Sequence, residues 1–351
     1  MESVTALKRS DADKKAEFLS TPIKHFDVTS FDARPLVEAM GGMSFTSRET
    51  ARAAQIFNQM LRDPGCCSIL TLAGSTSAAG CMQVYADMVR FGMVDAIVST
   101  GASIVDMDFF EALGFKHYQG SIHADDGELR DHFVDRIYDT YIDEDELQRC
   151  DRTIGRIADT LDPKPHSSRA FIHEMGRWLK SNAKKKGSLV ETAYDHGVPI
   201  FVPAFTDCSA GFGLVQHQLR NKGNHLTIDS VADFREMAEI MVETKSTGLT
   251  MIGGGVPKNF AQDVVLCTEE LGVEPEMHKY AVQITVADVR DGACSSSTLR
   301  EASSWGKVDT RHEQMVYAEA TTVIPLIVSD AYHRGSWKDR KSRRYADLFT
   351  G

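Results

Sequence analysis

Ser295 to Lys307 reads Ser-Ser-Ser-Thr-Leu-Arg-Glu-Ala-Ser-Ser-Trp-Gly-Lys, the stretch of this chain with the clearest chemistry in it. Its small polar residues suit a helix N-cap, and Leu299, Arg300, Glu301 and Ala302 favour the helix that would follow. Trp305, Gly306 and Lys307 then close the stretch. A lysine held beside an indole after a flexible glycine could shed hydration, which favours the uncharged amine. That amine is the nucleophile of imine chemistry. The plainer reading is a solvated lysine past a helix end, where Gly is a common stop and Lys suits the helix dipole. Spacing alone favours the plainer reading, because most lysines are solvated.

A repeating pattern of short apolar runs and helices would have to position such a lysine. Ser68–Ala73, Val94–Val98, Pro199–Val202, Gly248–Ile252 and Tyr280–Thr285 read as buried strands. Phe31–Met40 and Thr46–Leu61 read as helices, the second placing Ala53, Ile56, Phe57, Met60 and Leu61 on one face. A further helix is expected from about Ala79 to Phe91. Short apolar strands separated by helices indicate an α/β fold, a parallel sheet covered on both faces. Residues 117–195 are more polar and read as helical insertions and loops within the same unit. Residues 1–21 read as a lead-in, either mobile or a peripheral helix. Residues 22–335 read as one domain, and 336–351 as a basic tail, a surface helix or flexible end.

Ligands of an open parallel sheet bind beyond the carboxyl ends of its strands. Small or polar residues stand there one after another: Gly74 and Ser75, Thr100 and Gly101, Thr206 and Asp207, then Gly253, Gly254 and Gly255. Small residues let backbone approach a phosphate, and helix N-termini present amides to it. A nucleotide or dinucleotide is one reading. The G-x-G-x-x-G fingerprint is absent, so a structural turn at the three glycines is the other. P-loop, zincin and serine-hydrolase motifs are also absent.

Composition narrows the class. The chain has 351 residues and a formal charge of -11, which argues against a general nucleic-acid partner and would suit a cationic substrate. Seven cysteines lie without a C-x-x-C pair, so neither a disulfide framework nor a metal site is expected. The N-terminus lacks the apolar core of a signal peptide, and no apolar run approaches the ~20 residues of a membrane span. A cytoplasmic protein with no membrane contact is expected.

Five pieces resemble deoxyhypusine synthases, in that family's order: Asp95–Gly101, Gly114–Tyr118, Pro203–Asp207, Gly253-Gly-Gly-Val-Pro-Lys258 and Ser304-Trp-Gly-Lys307. The similarity runs from about Pro22 to Tyr332. It implies a Rossmann-like subunit with helical insertions, in a homotetramer whose NAD-containing active sites lie between subunits. The family oxidises spermidine with bound NAD, moves the aminobutyl group onto an active-site lysine, and passes it to an acceptor amine, where the retained NADH reduces the new imine. Lys307 matches the covalent lysine, and Trp305 matches the tryptophan lining the substrate tunnel. NAD contacts carry over to Gly74, Ser75, Thr100, Asp207, Gly253, Gly254, Gly255, Ala287 and Asp291. Asp106 stands for a family glutamate, and Glu319 and Ala320 for an Asp-Ala pair.

The substrate side departs from the family. Asn259 replaces a histidine and cannot act as a base near neutral pH. Phe212 and Cys294 replace aspartates, while Glu301 is retained. Two lost anions should cost a polycation roughly 1.5–3 kcal/mol each. Phe212 could instead stack on a guanidinium, which makes agmatine a candidate donor beside spermidine. The resemblance is to bacterial-type deoxyhypusine-synthase-like members that make homospermidine-type or guanidino polyamines. The expected activity is transfer of an aminobutyl or guanidinobutyl group through Lys307 to a small amine. The alternatives are deoxyhypusine synthase proper, with a lysine of a translation initiation factor as acceptor, and a catalytically silent subunit.

Overall fold

Alternation of buried side chains decides how the sheet is covered. In strand β1, Cys66–Leu72, every residue is buried. Ile69 packs with Val98, Leu249 and Ala281 on one face. Its neighbour Leu70 packs with Phe57, Ile97 and Val282 on the other. A strand apolar on both sides needs two covering layers, and two separate apolar clusters supply them.

The computed structural model describes residues 9–274, 276–292, 296–341 and 343–349. Five further strands flank β1: β2 Ala96–Ser99, β3 Ile200–Phe201, β4 Ser246–Ile252, β5 Tyr280–Thr285 and β6 Glu313–Tyr317. All pair in parallel in the order β6-β5-β4-β1-β2-β3. The chain winds outward from β1 through β2 to β3, returns to β4 on the opposite side of β1, and winds outward again. The strand order therefore reverses between β1 and β4, the place where an open α/β sheet leaves a crevice for a ligand. The helices used below are α1 Phe45–Arg62, α2 Ala210–Arg220, α3 Gly255–Cys267, α4 Leu299–Ser304 and α5 Ala320–Arg334.

Several expectations are corrected. The five expected strands form, and β6 is a sixth that the sequence did not suggest. Residues 117–195 are not helices and loops alone. His117–Gln119, Thr140–Asp143 and Val134–Ile137 form an antiparallel sheet with Thr140–Asp143 in the middle. The helix expected from Ala79 begins instead with a widened π turn, Ser77–Cys81, before Met82–Arg90. Gly80 in that turn has φ 104°, and a Cβ there would sit 3.0 Å from the carbonyl of Lys24, so the crossing N-terminal segment leaves room only for glycine. The lead-in contains a helix, Arg9–Phe18, whose Lys15 donates to Asp143 at 2.8 Å and Asp145 at 3.0 Å.

The basic tail carries a short 3-10 helix, Tyr345–Phe349, and is tied to the sheet ahead of it. Arg340 is buried, ion-paired with Asp95, and donates to the carbonyl of Gly92 at 2.8 Å. Asp95 also accepts from the amide of Ser68 at 2.8 Å. The tail thus closes the amino end of the sheet, opposite the crevice.

Candidate active site

The Lys307 stretch folds from its own sequence. Thr298 caps α4 and accepts from the amide of Glu301 at 3.2 Å, while the Glu301 carboxylate accepts from the amide of Thr298 at 2.7 Å. This reciprocal box satisfies two amides that a helix start leaves open. Trp305 ends the helix and Gly306 turns the chain at φ 71°. The carbonyl of Lys307 then accepts from the amide of His278 at 2.9 Å, and the amide of Asp309 donates to the carbonyl of His278 at 3.0 Å. The His278 ring is buried between the Thr247 hydroxyl and the Ala261 carbonyl, and burial lowers its pKa to about 4, so it is a neutral brace.

Lys307 is not the solvated lysine that spacing favoured. Its side chain is 16% exposed and ion-paired with Asp263 of α3. Its Nζ lies 5.2 Å from the centroid of the Trp305 ring, within cation–π range. Trp305 itself is 65% exposed.

Lys258 joins this stretch to the glycine turn, a role the sequence did not reveal. It stands in the Gly-Gly-Gly-Val-Pro-Lys piece, but nothing local distinguishes a buried lysine from a solvated one. Its side chain is fully buried and donates to Gln283 Oε1 at 2.8 Å and to the carbonyl of Ser297. Gln283 in turn donates to the carbonyl of Gly253 at 2.9 Å. Burial lowers the Lys258 pKa to about 8, with the Glu301 carboxylate opposing and Lys307 reinforcing the shift.

The residues named for a dinucleotide follow the carboxyl ends of the strands. Gly74 and Ser75 follow β1, Thr100 follows β2, Asp207 lies beyond β3, and Gly253, Gly254 and Gly255 follow β4. Ala287 and Asp291 follow β5, and Glu319 and Ala320 follow β6. Gly74, Gly253 and Gly255 have φ of 79°, 74° and 61°, which a side chain would strain. A chain of hydroxyls binds the first two loops: Thr100 donates to Ser103 at 3.2 Å, and Ser103 to the Gly74 carbonyl at 2.8 Å. Gly254 caps α3 without a side-chain bond. The first amides of α3 are therefore available to an anion. Asp207 is exposed beside this edge. These features fit a dinucleotide: open backbone and helix amides for the diphosphate, and a carboxylate for ribose hydroxyls.

Asp106 and Glu319 are held by protein partners. Asp106 accepts from the Ser209 hydroxyl at 2.6 Å and the Ser209 amide at 3.2 Å, and burial raises its pKa to about 6. Glu319 caps α5, accepting from the Thr321 amide at 3.0 Å.

Comparison with known proteins gives the family. The family model for deoxyhypusine synthase matches residues 35–331. A deoxyhypusine synthase-like protein of Coxiella burnetii is 66% identical over 336 residues, covering 95% of this chain and 96% of its own. One from Caulobacter vibrioides is 64% identical over 341 residues, covering 96% and 93%. The chain belongs to the deoxyhypusine synthase family. A solved structure titled a "putative deoxyhypusine synthase" from Entamoeba histolytica shares the fold, with a TM-score of 0.58 at 20% identity, covering 89% of this chain and 97% of that one. Deoxyhypusine synthases are NAD-dependent transferases, generally tetrameric, that move aminobutyl groups.

Against the family pattern, the substrate-side positions are scattered. Asn259 is exposed on α3, and its Oδ1 accepts from Ser296 at 2.7 Å. Phe212 is exposed on α2, where Phe212, Val215 and Leu219 form one apolar stripe. Cys294 lies outside the described residues. Glu301 lines a cavity of about 560 Å³ with Glu49, Arg52, Thr298, Glu313 and Tyr317. Among the described residues, no helix is long and apolar enough to cross a membrane.

Proposed function

We propose that this protein transfers an aminobutyl or guanidinobutyl group from spermidine or agmatine, through an imine on Lys307, to a small amine. The observation that carries the reading is the setting of Lys307: an amine withdrawn from water, against an indole and a carboxylate. Such a lysine divides a difficult amine exchange into two transfers. When bound, NAD would supply reversible hydride acceptance from the carbon bearing the donor amine. Gly74, Ser75, Thr100, Asp207, Gly253, Gly254, Gly255, Ala287 and Asp291 would hold it, with Asp106, Glu319 and Ala320 behind them.

The chain's own groups supply the rest. Lys307 attacks the donor imine and expels the departing amine. Trp305 walls the amine and limits hydrolysis of the imine. Glu301 and the neighbouring Glu49 and Glu313 suit a cationic tail, while Phe212 suits stacking on a guanidinium better than pairing with an ammonium. The exposed indole and the bare α2 stripe support a homotetramer in which a second subunit covers the site. The openness above Trp305 also supports one other acceptor, a lysine of a protein.

The test is to incubate the protein with NAD and either agmatine or spermidine, reduce with borohydride, and map adducts by mass spectrometry. An adduct on Lys307 is expected, more abundant with agmatine. Absence of any Lys307 adduct with either amine would sink the reading and leave a silent subunit. Released diaminopropane or ammonia identifies the donor, and adding a small amine or a protein acceptor separates the two acceptor classes.

A further inference from the structure

Transfer onto and off a lysine requires a proton to move between two nitrogens, and the family's histidine on α3 is asparagine here. Asn259 and Asp263 stand four residues apart, so α3 presents both on one face. Asn259 faces Ser296. Asp263, one turn along, contacts Lys307 Nζ directly and remains 45% exposed, so it is reachable from the open side. The other charged or titratable groups around Lys307 are unsuited to the task. Lys258 is a cation committed to two carbonyl acceptors, and Glu301 is committed to the amide of Thr298. The carboxylate of Asp291 acts on Glu301, and the His278 ring is enclosed.

We propose that Asp263 is the proton carrier for Lys307, replacing on α3 the acid–base group that position 259 no longer provides. This rests on the covalent role of Lys307. In the resting state the proton sits on Lys307 and the pair is ionic. Entry of the donor removes water, which penalises two separated charges more than a neutral amine beside a carboxylic acid. Asp263 takes the proton, and the free amine adds to the carbon of the protonated donor imine. The new C–N bond leaves a proton in excess on the lysine nitrogen. Asp263 gives the proton it holds to the departing nitrogen, takes the excess proton from the lysine nitrogen, and the old C–N bond breaks. The products are a protonated imine on Lys307 and the departing amine, which takes the proton from Asp263 and leaves as an ammonium, so protons and electrons balance. Transfer to the acceptor runs the same sequence in reverse.

The test uses the full chain with NAD and agmatine or spermidine, following borohydride-trapped Lys307 adduct against time from pH 6 to 9. Asp263→Ala is expected to slow adduct formation about 100-fold or more, the usual scale for general acid–base catalysis. Sodium formate should restore part of the rate, and NAD affinity should remain that of the wild type. Asp263→Asn should be equally slow, and Asp263→Glu should retain most of the rate. Near-UV circular dichroism of the alanine and asparagine variants confirms folding. Adduct formation within threefold of wild type in Asp263→Ala would overturn the proposal, as would a slow variant that formate fails to rescue. If the wild-type protein forms no adduct, the Lys307 reading itself falls, and this proposal with it.

Discussion

At the scale of single residues, the chemistry separates from its framework. Lys307→Ala should abolish trapped adduct while isothermal titration still detects NAD, because the proposed dinucleotide contacts lie at the strand ends and not on α4. Retained transfer in that variant would refute the covalent role. The pair Phe212→Asp with Asn259→His should move donor preference toward spermidine by at least tenfold in relative kcat/KM, since it returns an anion and an acid–base group. Lys258 allows a test by pH. Its pKa falls from an ordinary 10.5 to about 8 on folding, so between those values the unfolded chain binds more protons and stability rises with pH. The penalty is present in full below pH 8 and is gone above 10.5. Burial raises the pKa of thiols such as Cys66 and Cys81, which costs stability over the same range in both proteins, so the readout is a difference. Between pH 7.5 and 9.5 the stability from urea unfolding should change about 2 kcal/mol more favourably in the wild type than in Lys258→Met.

Elements carry the next set of consequences. Arg340 and Asp95 are 245 residues apart in sequence and buried against one another. Arg340→Ala leaves the buried Asp95 carboxylate with only the more distant Arg343, 3.9 Å away, so the loss should approach the cost of removing one member of a buried pair, about 3–5 kcal/mol. Urea denaturation is expected to show that loss, although the substitution lies at the end of the sheet opposite the crevice. No local signal announces this pair, which is why the tail reads as solvated from sequence. The other five strands, β3 at the opposite edge included, were legible because apolar runs bounded by turns need no long-range information. The sixth, Glu-Gln-Met-Val-Tyr, lies at the sheet edge and mixes charge with apolar residues. The antiparallel sheet escaped notice because its strands are three or four residues long, below the length at which alternation can be distinguished from chance. The Thr298 box was partly legible, since small polar residues before Leu299 suit a cap; the burial of Lys307 beneath Trp305 was not, because Asp263 meets it only in three dimensions.

The whole molecule is arranged around an edge that one chain does not cover. Exposed Val256, Val286, Val289 and Trp305 are carried by segments that leave β4 and β5 or end α4, and the α2 stripe is exposed as well. Burying the stripe between subunits would account for three large apolar side chains on one helix face. Light scattering after size exclusion should give a tetramer, and Leu219→Glu should reduce its mass toward dimer or monomer. An unchanged mass in that variant would remove α2 from the interface.

The exposure of Trp305 also makes the site observable without a label. The chain has three tryptophans, and the other two, Trp178 and Trp337, are partly buried against the main apolar cluster. Trp305 should therefore dominate the long-wavelength side of the emission spectrum and the fraction quenched by iodide. A donor amine arriving beside Lys307, or a second subunit closing over it, should shift that emission to shorter wavelength and protect it from iodide. The two events separate by their concentration dependence, so the indole beside Lys307 would report, by its light, when it is covered.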